Sequence, residues 1–242
     1  MAKPLGLFLL RKFWFDRARN ETYALTNIAL VIGIPTSGRE SNTTMKDKWY
    51  ADNRDLIKWS VLINLAQNHQ AKRILQIAYF RPCEFSNIEI EDRLLKLPKE
   101  VISHFRDIRN ITEMHTDFHI DVLYEEFKDR EKYQKAIVEY ISSYPEEKCI
   151  VFLDPDTGLQ PQKSKLGLEH VSNGEVREIW EHIKKGDIFV FYQHQTNRNG
   201  RPWVDEKQEQ LSKAANIPVV SVKIAHGRSI AKDVVFFYAV KA

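Results

Sequence analysis

Two acidic residues follow a buried run at positions 150–153. The run is apolar throughout and predicts a strand, and Asp154-Pro155-Asp156 marks the point where the chain leaves it. In open α/β sheets the ligand crevice lies just outside the carboxyl ends of the strands. Carboxylates there bind a metal, accept a proton or hold the polar edge of a substrate, so we predict Asp154 and Asp156 as catalytic residues and as ligands for Mg²⁺. The alternative is a polar turn, since Asp, Pro, Thr and Gly all favour turns.

A second polar group follows the later predicted strand at residues 187–192. Gln193 and His194 come directly after it, and a histidine acts as acid, base or metal ligand near neutral pH. If this strand neighbours the Asp154 strand, a catalytic His194 converges with the two aspartates on one crevice. Gln193 and Arg198, in the polar and basic loop that follows, would then bind substrate. The alternative is a solvated loop without ligand contacts.

A third cluster, Asp52, Asp55 and Lys58, begins a predicted helix. Its spacing puts the three side chains on roughly one side of a helix that is otherwise apolar nearly all round. The functional interpretation makes Lys58 catalytic and the two aspartates substrate-binding, facing Asp154 and His194 across one cleft. The alternative is an N-cap plus an intrahelical ion pair.

A polar loop after the Asp154 strand offers a contact for phosphate. Lys163 is the candidate, in a segment between Gly158 and Gly167 that could act as a lid over a ligand. A flexible, solvated loop is the alternative.

The rest of the pattern supplies the elements that must position these residues. Helices are predicted at residues 52–70, 98–108, 133–141, 176–183 (capped by Gly186) and 204–215, and strands at 73–80, 149–153, 187–192, 219–224 and 234–240, with one more strand within 111–123. Alternating strands and helices predict a mainly parallel sheet with helices on both faces, closed by an antiparallel hairpin. The expected fold class is a Rossmann-like, three-layer α/β sandwich over residues 49–242, with residues 1–48 as an N-terminal extension.

The composition is that of a globular protein, and it does not discriminate between classes of function. The chain has 242 residues, 43% hydrophobic and 29% charged, and its net charge of +3 permits a nucleic-acid partner without arguing for one. Two cysteines, Cys83 and Cys149, have neither metal-ligand nor disulfide spacing, which is typical of a reducing cytosol. The apolar segment at residues 5–10 is too short to span a membrane. We therefore expect a cytoplasmic protein without a membrane partner, and the oligomeric state does not follow from the sequence.

Three of these segments together resemble a family of uncharacterised bacterial proteins. Its members open with a patch rich in Tyr, Gly and Asp that runs into an Asp-x-x-Lys helix. They also have a strand ending in Phe-Leu-Asp-Pro-Asp-Asn-Gly-Leu and a later strand ending in Tyr-Gln-His. The matching positions here are Tyr50, Asp52, Asp55 and Lys58, then residues 152–159 with Thr157 in place of Asn, and then residues 192–194. The resemblance covers residues 49–242 and implies sites without an activity.

The second half of the chain resembles class I methyltransferases in the order of its elements. An acidic-Pro motif ends one strand, and a helix, a strand, a helix and a terminal antiparallel hairpin follow it. In those enzymes the Asp/Asn-Pro motif faces the target base or amine. Because they use S-adenosylmethionine as methyl donor, the resemblance implies this cofactor. No glycine occurs between residues 39 and 157, however, so the turn after the first strand lacks the glycine-rich loop that such a ligand needs.

These observations leave three functions open. The first is a methyltransferase-like enzyme acting on nucleic acid or nucleotides, in which Asp154 and Asp156 position the acceptor beside His194. The second is a Mg²⁺-dependent nuclease or phosphodiesterase of a phage-defence or restriction type, in which the aspartates bind the metal and Lys58, Lys163 or Lys165 binds a phosphate. The third is a non-catalytic binding module that kept a Rossmann-like shell.

Overall fold

The computed structural model describes residues 52–81, 87–96, 98, 101, 107–162, 164–195 and 202–242. The predicted N-terminal extension, most of the predicted helix over 98–108, and the candidate residues Lys163 and Arg198 lie outside these ranges. The domain division at residue 48 and the roles of these two side chains therefore stay predictions.

Helices and strands alternate along most of the described chain. The helices are α1 (Asn53–His69), α2 (Arg130–Ser143), α3 (Asn173–His182) and α4 (Trp203–Ala215), and 3-10 helices span Ile108–Glu113 and Val219–Ser221. The strands are β1 (Arg73–Ile77), β2 (Asn87–Ile90), β3 (Arg93–Lys96), β4 (His119–Leu123), β5 (Cys149–Leu153), β6 (Gly158–Leu159), β7 (His170–Val171), β8 (Ile188–His194), β9 (Lys223–Ala225) and β10 (Val234–Val240). None of the described helices is both long and apolar enough to cross a bilayer.

Six strands form the central sheet in the order β4-β1-β5-β8-β10-β9. The first four are parallel, whereas β10 is antiparallel to both of its neighbours, β8 and β9. The remaining strands pair as two small sheets, β2 with β3 and β6 with β7. This is the predicted Rossmann-like α/β fold, with a mostly parallel sheet that ends in an antiparallel pair.

The chain reverses its course across the sheet between β1 and β5. From β1 it moves outward to β4, and it then returns to the other side of β1 to form β5 and continues outward to β8. At such a reversal the connections leave in opposite directions, and the crevice between them is where open α/β sheets bind ligands. Because Ile77 pairs in register with Leu153, residues 78–81 and 154–156 leave the sheet side by side. We call this place the switch-point crevice.

Both faces of the sheet are covered, which explains why its strands read as continuous apolar runs. On one face Ile150 and Phe152 of β5 are completely buried in a cluster with Leu62 of α1. On the other face Val151 and Leu153 belong to a cluster with α2, α3 and α4. The sheet is therefore the middle of three layers, and α1 lies on the opposite side from the other three helices.

The first turn of α1 is fixed by its N-cap. The Asp52 carboxylate accepts hydrogen bonds from the backbone N–H groups of Arg54 at 2.7 Å and Asp55 at 3.1 Å. Such a cap contributes about 0.5–2 kcal/mol. It also orients the turn that carries the polar cluster predicted from the sequence.

Some details of the secondary structure differ from the prediction. Residues 219–221 form a 3-10 helix instead of a strand, and Val220 is 85% exposed, so this apolar segment lies on the surface. Gly186 does not cap a helix: α3 ends with Ile183 as its cap, and Gly186 takes a φ of 90° in the turn that precedes β8. The β2–β3 hairpin was not expected, because its turn residues Glu91 and Asp92 adopt positive φ without glycine or asparagine.

Candidate functional site

Asp154 is the buried centre of the site. It follows β5 into the switch-point crevice, has 0% of its surface exposed, and donates its backbone N–H to Ile77 O at 3.0 Å. Its Oδ2 accepts from Gln76 Nε2 at 2.6 Å and from Lys58 Nζ at 2.8 Å. Its Oδ1 is buried and has no hydrogen-bond partner among the described residues. Burial raises the pKa of Asp154, and the charge of Lys58 opposes this shift.

Lys58 reaches Asp154 from the second turn of α1. Its Nζ lies 2.8 Å from Asp154 Oδ2, 2.8 Å from Asp55 Oδ1 and 5.5 Å from the centre of the Tyr192 ring. Burial opposes the positive charge, but the attraction of the two carboxylates outweighs it and raises the pKa of Lys58. The ammonium is therefore charged at neutral pH, so Lys58 can stabilise an ionised Asp154 but cannot act as a base.

A second ion pair spans the switch-point crevice. Arg81, beyond the end of β1, binds Asp156 Oδ2 through its Nη2. Both side chains are largely buried, with 14% and 7% of their surface exposed. The Nε of Arg81 is buried and has no acceptor within the described ranges. The two acids of the Asp-Pro-Asp motif are thus held by different cations, Asp154 by Lys58 and Asp156 by Arg81.

His194 belongs to a third set of contacts, at the end of β8. Its Nε2 lies 3.0 Å from Asp233 Oδ2, and the same oxygen accepts from Arg54 Nη2 at 2.6 Å. Arg54 also lies 3.3 Å from the Asp52 carboxylate. Burial opposes the ionisation of Asp233, but the Arg54 hydrogen bond and the His194 charge outweigh it and lower the pKa of Asp233. An open cleft of about 660 Å³, lined by residues 52–54 and 230–233, adjoins these contacts.

The first turns of α1 connect the predicted clusters. Lys58 contacts Asp154 directly and holds Asp55, and Asp52 reaches His194 through Arg54 and Asp233. The expected proximity of α1 to Asp154 and His194 is therefore present in the structure. The alternative is also partly right, because Asp52 is an N-cap and Asp55 and Lys58 form an i,i+3 ion pair, although a buried one.

Gln193 is placed differently from the prediction. Its side chain is completely buried, its Oε1 accepts from Leu159 N at 2.9 Å, and its Nε2 donates to the carbonyl oxygens of Thr157 at 2.9 Å and His194 at 2.7 Å. All three contacts are to backbone atoms, so Gln193 anchors the segment after the Asp-Pro-Asp motif. Because its amide groups are already engaged, this geometry argues against the substrate contact that we predicted.

Four residues of the site were not predicted: Gln76, Arg54, Arg81 and Asp233. Gln76 is the one uncharged polar residue inside β1, and a polar residue within a buried strand is a usable signal. Arg81 and Asp233 gave no such signal, since each is an ordinary charged residue beside a strand. Their partners are 75 residues away for Arg81 and 179 for the Arg54–Asp233 pair, separations that no local pattern reveals.

The geometry gives no support to the predicted Mg²⁺ site at Asp154 and Asp156. Each carboxylate binds its own cationic side chain, Lys58 or Arg81, and these charges occupy the position that a divalent cation would need. Within the described ranges, moreover, no group of three or more His, Cys, Asp or Glu side chains is arranged to hold a metal ion.

The described residues after β1 do not fit S-adenosylmethionine. Tyr79 adopts a left-handed φ of 47°, where a cofactor loop would use glycine, and its N–H donates to the Tyr133 hydroxyl at 3.0 Å. The Phe80 carbonyl accepts from Phe127 N at 2.7 Å. Side chains of Tyr79, Phe127 and Tyr133 pack together with ring centres 4.9–5.3 Å apart. The Tyr79 N–H and the Phe80 carbonyl are thus engaged, and the three aromatic rings pack together beyond the ends of β1 and β4.

We expect Tyr133→Phe to destabilise the fold by about 1–3 kcal/mol, because it leaves the buried Tyr79 N–H without an acceptor. Urea denaturation of the purified variant measures this loss. Tyr238→Phe is a control at a partly buried tyrosine of β10. An equal loss in both variants would show that the Tyr79 contact is not what matters.

Comparison with known proteins adds little to this description. No family model matches the chain, and no curated protein matches it at a significant level of sequence similarity. Similar solved structures include a DUF574 family protein from Streptomyces avermitilis (10% identity, TM-score 0.39, 78% of this chain and 82% of that one). They also include PigF with SAH (11%, 0.34, 81% and 61%) and the N-methyltransferase NodS from Bradyrhizobium japonicum (9%, 0.32, 78% and 95%). At such identities and TM-scores the likeness carries no argument about function. The resemblance to the uncharacterised bacterial family likewise stays a prediction.

Proposed function

We propose that this chain is a methyltransferase-like α/β protein that binds the amino group of a nucleotide or of a base in nucleic acid at the switch-point crevice. Asp154 is the residue that accepts a hydrogen bond from that amino group.

The unpartnered oxygen of Asp154 is the observation that supports this proposal most directly. A buried acceptor without a donor costs about 1–3 kcal/mol, and more when it is charged, so proteins rarely keep one without a use. Gln76 Oε1, on the residue that donates to Asp154, is also buried without a partner in the described part of the chain. Two neighbouring acceptors suit a ligand with an N–H₂ group, which has two protons to donate.

Lys58 makes this role of Asp154 chemically reasonable. Since the ammonium occupies Oδ2, it favours the ionised carboxylate and leaves Oδ1 as the acceptor for the ligand. A hydrogen bond from an amino group to a carboxylate increases the electron density on the nitrogen and fixes its orientation. Asp154 would thus bind and orient the nucleophile, and Lys58 would position Asp154.

The methyltransferase-like part of the proposal follows from the order of elements after the Asp-Pro-Asp motif. A helix (α3), a strand (β8), a helix (α4) and an antiparallel pair (β9 and β10) follow β5, in the order that the sequence resemblance implies. The Tyr79 N–H after β1 is already bound to the Tyr133 hydroxyl and is not open to a methyl donor. This supports a second candidate, a binding module that recognises the same amino group without methyl transfer.

Pairs of nucleosides that carry an amino group or a carbonyl at the same ring position test the proposal. We expect calorimetry to give tighter binding of adenosine than inosine, and of cytidine than uridine, because the second member of each pair has a carbonyl where the first has an amino group. In Asp154→Asn the preference should fall about tenfold or more, since the amide presents its own N–H₂ group to the ligand.

Asp187→Asn is the matched control for this experiment. Asp187 is 5% exposed and its Oδ1 accepts from Cys149 N at 2.7 Å. These two residues lie at the amino ends of β5 and β8, at the opposite edge of the sheet from Asp154. Asp187→Asn should leave the preference unchanged. Equal binding of the paired nucleosides by the unmodified chain, or an unchanged preference in Asp154→Asn, would disprove the role of Asp154. A titration with S-adenosylmethionine in the same buffer separates the two candidates, since only the methyltransferase requires it.

A further inference from the structure

We propose that Arg81 is an anion-binding residue of the switch-point crevice, and that Asp156 occupies it in competition with a phosphate group of the ligand. The inference rests on the proposed function, because it assigns the phosphate of the nucleotide or nucleic acid whose amino group Asp154 binds. It gives Asp156 a role different from that of Asp154, although the two acids are separated only by Pro155.

The position of the pair supports this assignment. Arg81 leaves the sheet after β1 and Asp156 after β5, and these two strands border the crevice. The ion pair between them therefore closes the crevice at the place where α/β sheets bind ligands.

The chemistry of Arg81 favours an anion with several oxygens. A guanidinium carries five N–H donors in a planar fork that matches carboxylate and phosphate groups, and Arg81 uses Nη2 for Asp156. Its Nε is buried and lacks an acceptor within the described residues. A phosphate in place of the Asp156 carboxylate could accept from Nη2 and from Nε together, which satisfies the buried donor.

Replacement of Asp156 by a phosphate also explains why a carboxylate binds Arg81 when no ligand is present. A buried guanidinium without an anion is strongly unfavourable, so an acid of the chain keeps Arg81 neutralised. The same acid repels any anion that does not displace it. Asp156 is thus expected to lower the affinity for phosphate ligands while it stabilises the crevice.

Binding of inorganic pyrophosphate, adenosine 5′-monophosphate and a short single-stranded oligonucleotide tests the inference. In Asp156→Asn, which retains the shape but removes the competing charge, we expect each phosphate ligand that the chain binds to bind about fivefold more tightly. In Arg81→Gln its affinity should fall about tenfold or more. Near-ultraviolet circular dichroism confirms that each variant keeps its packing, and the double variant Arg81→Gln/Asp156→Asn leaves no buried charge behind.

The outcomes separate this inference from the proposed function. Pyrophosphate has no amino group, so its binding should depend on Arg81 and Asp156 and not change in Asp154→Asn. If pyrophosphate binding follows Arg81 while the nucleoside preference ignores Asp154, the inference stands and the proposed function fails. Unchanged phosphate affinity in Asp156→Asn and in the double variant overturns the inference, whatever Asp154 does. Tight binding of the monophosphate identifies a free nucleotide as the source of the phosphate, and binding of the oligonucleotide alone identifies nucleic acid.

Discussion

Replacement of Lys58 by methionine is expected to destabilise the folded chain by about 3–5 kcal/mol, because it leaves the buried Asp154 without its cation. Methionine fills nearly the same volume as the lysine stem, so the loss reports the charge and not a cavity. Thermal denaturation should show a midpoint lower by on the order of 10 °C.

The stability lost in the Lys58→Met variant should be larger at neutral pH than in acid. Burial raises the pKa of Asp154, and removal of Lys58 takes away the charge that opposes this shift. A carboxyl whose pKa is higher in the folded state than in the unfolded state stabilises the fold at low pH, and this contribution is lost as the pH rises through the folded pKa. The Lys58→Met variant should therefore approach the unmodified chain in acid and fall furthest below it at neutral pH.

Two variants control this experiment. Lys132→Met removes an exposed lysine, 86% accessible and 3.7 Å from Asp129, and should change stability by less than about 1 kcal/mol. The double variant Lys58→Met/Asp154→Asn should recover part of the lost stability, because the side chain at position 154 then carries no charge. If the single Lys58 variant is no less stable than Lys132→Met, the buried ion pair contributes nothing.

Gly158→Ala is expected to destabilise the chain by about 2–4 kcal/mol and to disorder the segment after the Asp-Pro-Asp motif. Gly158 has a φ of +110°, which strains any residue with a Cβ. An added Cβ would also lie 2.4 Å from Gln193 Oε1, and Gln193 cannot move away without breaking its three bonds to the backbone.

Gly174→Ala is the matched control for this substitution. Its Cβ would meet nothing closer than Ser172 Oγ at 3.9 Å, and in helix α3 alanine should raise stability by up to about 1 kcal/mol. Urea denaturation of both variants provides the comparison. A Gly158→Ala variant as stable as the unmodified chain would mean that Gln193 does not hold this segment rigidly.

The sequence predicts the central strands well because their patterns are local. Strand β5 spans Cys149–Leu153 and β10 spans Val234–Val240, which are the predicted ranges, since both are apolar runs bounded by polar residues. The same rule fails for residues 219–221, because an apolar, β-branched run has the same appearance whether it lies in a sheet or on the surface.

The candidate site is predictable only where a residue conflicts with its surroundings. Lys58 stands out because a charged side on an apolar helix needs a partner, and the partner proves to be Asp154. Arg81 and Asp233 conflict with nothing in their local sequence, so their contacts follow only from the arrangement of the strands. Gln193 shows why such a position is ambiguous from sequence: a polar residue after a strand suits a ligand site, but it also suits the backbone contacts that Gln193 makes.

The place of α1 in the sheet sandwich has a consequence for synthesis on the ribosome. The helix is made before every described strand, yet its partners on the sheet include Val234 and Phe236 of β10, the last of those strands to be made. Its apolar side, including Leu62 and Leu65, therefore has no complete surface to pack on until that strand has emerged. Contacts between distant parts of a chain form slowly and leave apolar surface exposed meanwhile. A nascent chain stalled before residue 234 should thus bind holding chaperones through α1, whereas one that has extruded β10 should not.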